Sequence, residues 1–99
     1  MTTRQKQACP LCAESATYAL FDYGHRKALE CASCGQYVIT TIAESLLSSP
    51  PGTREQRLAA YVRQVDDPSK IAEIRTENGP DGGKQLSAQV LSRDSLRLP

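Results

Sequence analysis

Cys9-Pro10-Leu11-Cys12 is answered, after eighteen intervening residues, by Cys31-Ala32-Ser33-Cys34-Gly35, and these two pairs hold all four cysteines of the chain. A Cys-x-x-Cys turn sets two thiolates on one side of a tight loop. Two such loops face to face supply the four soft ligands of a tetrahedral zinc ion, each at about 2.3 Å. The separation of the pairs is that of a zinc ribbon. Gly35 directly follows the last cysteine, where backbone amides that wrap back toward sulfur favour a residue tolerant of positive φ; Ala13 holds the equivalent place after the first pair. We read Cys9, Cys12, Cys31 and Cys34 as the ligands of one structural Zn2+. Two disulfides would require an oxidising compartment, and Met1-Thr2-Thr3-Arg4-Gln5-Lys6 has no apolar core of a signal peptide. A redox Cys-x-x-Cys explains one pair without its partner. An iron or iron–sulfur centre and redox thiols are the remaining alternatives. A closed four-sulfur site keeps no open position for water, which disfavours zinc hydrolysis.

Ninety-nine residues make one ordinary domain, or a small metal domain with an appendage. Twelve basic against eleven acidic residues give a formal charge of +1, which argues against strong nonspecific attraction to a nucleic-acid backbone. No apolar run approaches the roughly twenty residues that span a bilayer, so the expectation is a soluble, cytoplasmic protein. With one Phe, four Tyr and no Trp, few large side chains are available for a core, and a metal ion would supply stability that burial cannot.

Working outward from the cysteines, residues 1–8 are polar and read as a flexible tail. Tyr18 and Leu20 alternate with Ala19, Phe21 and Tyr23 in a strand pattern. Gly24 breaks it, and His25-Arg26-Lys27 starts a basic return to the second cysteine pair. Gln36-Tyr37-Val38-Ile39-Thr40 has strong β propensity and supplies a third strand. Thr41-Ile42-Ala43-Glu44 has the form of a capping box opening a short helix, closed at Ser48-Ser49-Pro50-Pro51-Gly52. Thr53-Arg54-Glu55-Gln56 is a second such box, and Leu58, Tyr61, Val62 and Val65 follow the spacing of an amphipathic helix over 54–65. Lys70-Ile71-Ala72-Glu73-Ile74-Arg75 fits either a short helix or a strand. Asn78-Gly79-Pro80-Asp81-Gly82-Gly83 is a turn or linker; from Lys84 onward Leu86, Ala88 and Val90 alternate as in an edge strand, but the surrounding Ser, Gln and Arg favour a flexible tail.

The expected fold is therefore a small α+β protein: a zinc ribbon, that is, a three-stranded antiparallel sheet with two zinc knuckles, followed by two short helices and a poorly structured C-terminal segment. The corresponding divisions are a tail at 1–8, the ribbon plus short helix at 9–48, a helical extension at 53–77, and a linker and tail at 78–99. His25 lies between the cysteine pairs, but four sulfurs close the site without it. No catalytic constellation emerges: Ser45, Ser48 and Ser49 have no histidine base nearby in sequence, and the 79–83 glycines lack the flanks of a phosphate-binding loop.

Cys-Pro-x-Cys, then Asp22-Tyr23-Gly24-x-Arg26-Lys27, then Cys-x-x-Cys-Gly-x-Tyr-x-Ile-Thr resembles a group of small bacterial zinc-ribbon proteins over about residues 9 to 41. That group brings no settled activity; the resemblance implies four zinc-binding cysteines and a bacterial, phage or mobile-element setting. The wider ribbon class includes transcript-cleavage and initiation factors, but the acidic Asp-Glu tip of the cleavage factors is absent, with Asp22 alone near the tip. The reading is a non-enzymatic binding module that recognises nucleic acid or a nucleic-acid-processing complex, through His25, Arg26 and Lys27 on the hairpin and Arg54 and Arg57 on the second helix. The alternative is a zinc-stabilised protein-interaction adaptor or inhibitor, homodimeric in one version, that uses Tyr61 and Val62 as its partner helix face. A thiolate redox or metal-sensing switch is the third.

Overall fold

The computed structural model of the chain describes residues 4–48 and 50–96. Six strands form one sheet in chain order: β1 (Gln5–Ala8), β2 (Ser15–Phe21), β3 (Arg26–Cys31), β4 (Gly35–Thr40), β5 (Lys70–Asn78) and β6 (Lys84–Ser92). Every neighbouring pair is antiparallel except β4 and β5, which run parallel with Tyr37 opposite Ala72 and Ile39 opposite Ile74. Parallel strands cannot be joined by a tight turn. The crossover is the segment holding helices α1 (Thr41–Ser45) and α2 (Thr53–Arg63), which pack on one face of β4 and β5.

This sheet overturns the expectation of a three-stranded ribbon followed by two helices and a loose C-terminus. The ribbon strands β2, β3 and β4 are present, but as the middle of a larger mixed sheet. Residues 5–8, expected to be a tail, pair with β2 from Gln5 opposite Tyr18 to Ala8 opposite Ser15. The expected helical extension over 53–77 is helical only to Arg63, and the expected C-terminal tail supplies β6, paired with β5 along nine residues. Residues 1–3, Ser49 and residues 97–99 of the expected tails and helix end lie outside the described residues.

The reason for β5 lies in its burial. Ile71, Ala72, Glu73 and Ile74 are all buried, as befits a strand covered on both faces. Leu29, Tyr37, Ile39, Ala72 and Ile74 join Ala59 and Val62 of α2 in the main core. Opposite, Val38, Ile71 and Leu96 form a smaller cluster flanked by Phe21 and Leu91. Glu73 is tolerated inside because its carboxylate meets Arg26 Nη1 at 3.1 Å and accepts from Gln89 Nε2 at 3.2 Å.

Both helices are capped one residue earlier than expected, at Thr40 and Gly52 rather than Thr41 and Thr53. Thr40 caps α1, its hydroxyl accepting from Ala43 N at 3.1 Å. Gly52 precedes α2, and Glu55 supplies the reciprocal half of the box, Oε1 accepting from Gly52 N at 2.8 Å and Oε2 from Ser48 N at 3.3 Å and Arg54 Nε at 2.9 Å. These donors outweigh the penalty of burial and lower the Glu55 pKa to about 2. The glycine-rich stretch after Asn78 is the β5–β6 turn, closed by Gly79 N donating to Gly83 O at 2.7 Å, with Gly82 at φ 83°. Among the described residues no helix is long and apolar enough to cross a membrane.

Candidate metal centre

Each cysteine pair is the turn of a hairpin. Cys9 and Cys12 sit in the connection from β1 to β2, and Cys31 and Cys34 bracket the connection from β3 to β4. In an antiparallel meander the first and third turns lie at the same end of the sheet, so the topology itself brings the pairs together. The first turn is closed by Ala13 N donating to Cys9 O at 2.8 Å and Cys9 N to Glu14 O at 2.7 Å. Ala13 and Gly35 take equivalent left-handed conformations, φ 66° and 91°. The two loops thus share one geometry, and the first holds it against the preference of an alanine.

The four Sγ atoms lie within 4.8 Å of one another. Across the knuckles, Cys12 Sγ stands 3.4 Å from Cys31 Sγ and Cys9 Sγ 3.9 Å from Cys34 Sγ. A tetrahedron of sulfurs with 2.3 Å metal bonds has edges of about 3.8 Å, so the set fits Zn2+ in size and in chemistry. None of the four is in a disulfide; Cys9, Cys31 and Cys34 are buried and Cys12 is half-buried. Leu11, fully buried, anchors the first loop to the core.

Electrostatics point the same way. Burial, then the neighbouring thiols, push Cys34 far above the usual thiol range, and burial likewise raises Cys12. For Cys31 burial acts upward too, but the backbone amides of Cys34 and Ser33 prevail and lower it; Ser33 N lies 3.4 Å from its sulfur. Burial thus disfavours the thiolates of Cys12 and Cys34, and a divalent cation would supply the counter-charge that favours them.

Two contacts around the cluster were not singled out in the sequence. Tyr37 is wholly buried, and its Oη stands 3.2 Å from Cys9 Sγ. Burial and the Cys9 sulfur keep its phenol protonated, so it is a ready donor to a thiolate. Its place three residues after Cys34, on a strand that alternates inward, is the signal that was there to be read. Arg63 at the end of α2 donates to Ser33 O at 3.3 Å and to Ser33 Oγ at 3.2 Å, tying the helix to the second knuckle.

The other expected site residues lie elsewhere. His25 is exposed in the β2–β3 turn, at the opposite end of β2, roughly 20 Å along seven residues from the cysteines. Arg26 pairs with Asp22 at 3.2 Å and with Glu73. Lys27 meets Glu44 at 2.8 Å, donates to Gln7 Oε1 at 2.9 Å and sits 4.4 Å over the Tyr18 ring. Arg54 is held by Glu55 and by Leu46 O, and Arg57 is exposed. Val62 is buried in the core and Tyr61 is packed against it, so the apolar stripe of α2 faces the chain's own sheet. Comparison with protein-family models, curated proteins and solved structures found no match.

Proposed function

We propose that this chain is a non-enzymatic, zinc-stapled recognition module that binds a protein partner through the β2–β3 hairpin tip. One observation carries this reading. Tyr23 is 98% exposed at that tip, within three consecutive left-handed residues, Asp22 at φ 54°, Tyr23 at φ 57° and Gly24 at φ 82°. Positive φ costs an aromatic residue about 1–2 kcal/mol, and nothing in the fold requires a phenol in solvent. Such strain is retained where a site uses it.

The tip is also rigidly held. Gly24 N donates to Phe21 O at 3.1 Å, His25 N to Asp22 O at 3.0 Å, and Thr41 N to His25 O at 3.0 Å. Arg26 clamps Asp22 to the buried Glu73. Beside the tyrosine a cleft of about 470 Å³ is lined by Phe21, Asp22, Arg26 and Leu96. A preorganised aromatic next to a cleft is the form of an interface anchor.

A nucleic-acid target is the second reading, favoured by the same ring, since an exposed phenol can stack on an unpaired base. It ranks second because the hairpin cations Arg26 and Lys27, and Arg54 on α2, are already ion-paired within the chain. The likeness to small bacterial zinc-ribbon proteins supports a bacterial lysate as the source of partners.

Tyr23→Gly separates function from folding. It removes the ring and relieves the strained φ, so thermal stability should hold or rise while partner capture is lost. Capture by zinc-loaded protein is compared with and without nuclease treatment. Partners that survive nuclease and vanish with Tyr23→Gly support the reading. Partners lost on nuclease treatment support the nucleic-acid reading, and capture indifferent to Tyr23 removes the tip as the contact.

A further inference from the structure

The edge of the sheet at β6 carries a separate observation. Natural edge strands are short, charged, bulged or covered. β1, the other edge, is four residues long and carries Lys6. β6 has none of these protections. It runs nine residues from Lys84 to Ser92 in unbroken register with β5, without a proline or bulge, and its sole charge is at its first residue. Among the described residues its outer backbone groups have no strand beside them.

The helix layer stops short of this strand. α1 and α2 cover β4 and β5, while Leu86 and Ala88 are only partly buried and Val90 is 41% exposed. Between α2 and β6 the surface is open in two clefts. One, of about 290 Å³, is lined by Tyr61, Val65 and Val90; the other, of about 440 Å³, by Leu46, Leu58 and Leu86. Side chains of one more strand, alternating toward the helix face, would complete this half-built layer.

We propose that β6 pairs antiparallel with β6 of a second copy of this chain, about a two-fold axis at Ala88. The sequence Lys-Gln-Leu-Ser-Ala-Gln-Val-Leu-Ser is self-complementary in that register. All nine residues pair: Ala88 faces Ala88 of the second copy, Leu86 faces Val90, Ser87 faces Gln89, and Lys84 faces Ser92. Each large apolar side chain on the helix face meets another, and no like charges oppose. A shift by two residues either way leaves Leu86 or Val90 against Lys84, Ser92 or a residue beyond the strand. The interface is isologous and closes at two copies, joining the two six-stranded sheets into one of twelve strands.

The test is the mass of the zinc-loaded protein by light scattering and sedimentation from low to high micromolar concentration. The expected result is a monomer–dimer equilibrium. Val90→Glu, at an exposed position, should raise the dimer dissociation constant about tenfold or more, because it sets a carboxylate against Leu86 twice per dimer. Leu86→Lys should act in the same direction. Mixing the two variants should restore a mixed dimer, since the new charges then face each other. A wild-type chain that stays monomeric throughout overturns the proposal, whether or not either variant folds. So does a dimer indifferent to both variants, or a mixture that fails to associate.

Discussion

Tyr37→Phe isolates the hydroxyl that stands 3.2 Å from Cys9 Sγ. Phe keeps the ring that fills the core, so no large cavity opens and the change is confined to one donor. In the metal-free protein that hydroxyl faces a thiol, a weak acceptor. With zinc bound it faces a thiolate, and a hydrogen bond to a charged acceptor is worth about 1.5–3 kcal/mol. The difference falls on the metal-bound state, so zinc affinity should drop about tenfold to a hundredfold. Competition against a chromophoric chelator at neutral pH, on reduced protein, reads this directly. Unchanged affinity accompanied by lower thermal stability would refute the reasoning and leave Tyr37 a packing residue alone.

Further outcomes follow from the same structure. Replacing Cys9, Cys12, Cys31 or Cys34 by Ser should cost metal and much of the fold together, read as zinc content and circular dichroism on one sample; a folded, zinc-loaded Cys31→Ser would contradict the assignment. Arg26→Ala strands the buried Glu73, whose Oε2 has the ion pair with Arg26 as its contact, and should destabilise by about 2–4 kcal/mol in urea unfolding. A surface arginine would cost a few tenths. Glu55→Gln should weaken α2, and the pH dependence has a definite sign. The carboxyl is lowered from 4.5 to about 2 in the folded chain, so its contribution is full above about pH 4.5, shrinks as pH falls and is gone below about 2. Comparing unfolding of wild type and Glu55→Gln over that window checks it, and a pH-independent difference would exclude the ionised cap.

The cysteine spacing made the four-sulfur cluster, a candidate metal centre, legible because Cys-x-x-Cys turns are local and their chemistry is narrow. The strands next to them were legible for the same reason: aromatic and β-branched residues alternate between the two knuckles. β5 was hidden by its own burial. With Ile71, Ala72, Glu73 and Ile74 all inside, period-two alternation disappears, and the charge of Glu73 reads as solvent-facing until Arg26 is found beside it. β6 was half legible: Leu86, Ala88 and Val90 alternate, but the serines and glutamines between them have little strand propensity and are held by pairing with β5. The Lys27–Glu44 pair and the Arg26–Glu73 pair join segments that only the folded chain brings together. Hence the basic triplet read as a free surface, although two of its three residues hold the fold together.

Cobalt(II) titration of the reduced, metal-free protein tests the central claim most directly, because tetrahedral thiolate sites give cobalt intense ligand-field and sulfur-to-metal absorption. The account predicts one equivalent bound, the spectrum of a four-sulfur tetrahedral site, a gain of folded structure on binding, and displacement of cobalt by one equivalent of zinc. A fully folded chain that takes up no cobalt, or that binds it with fewer than four sulfurs, would contradict it.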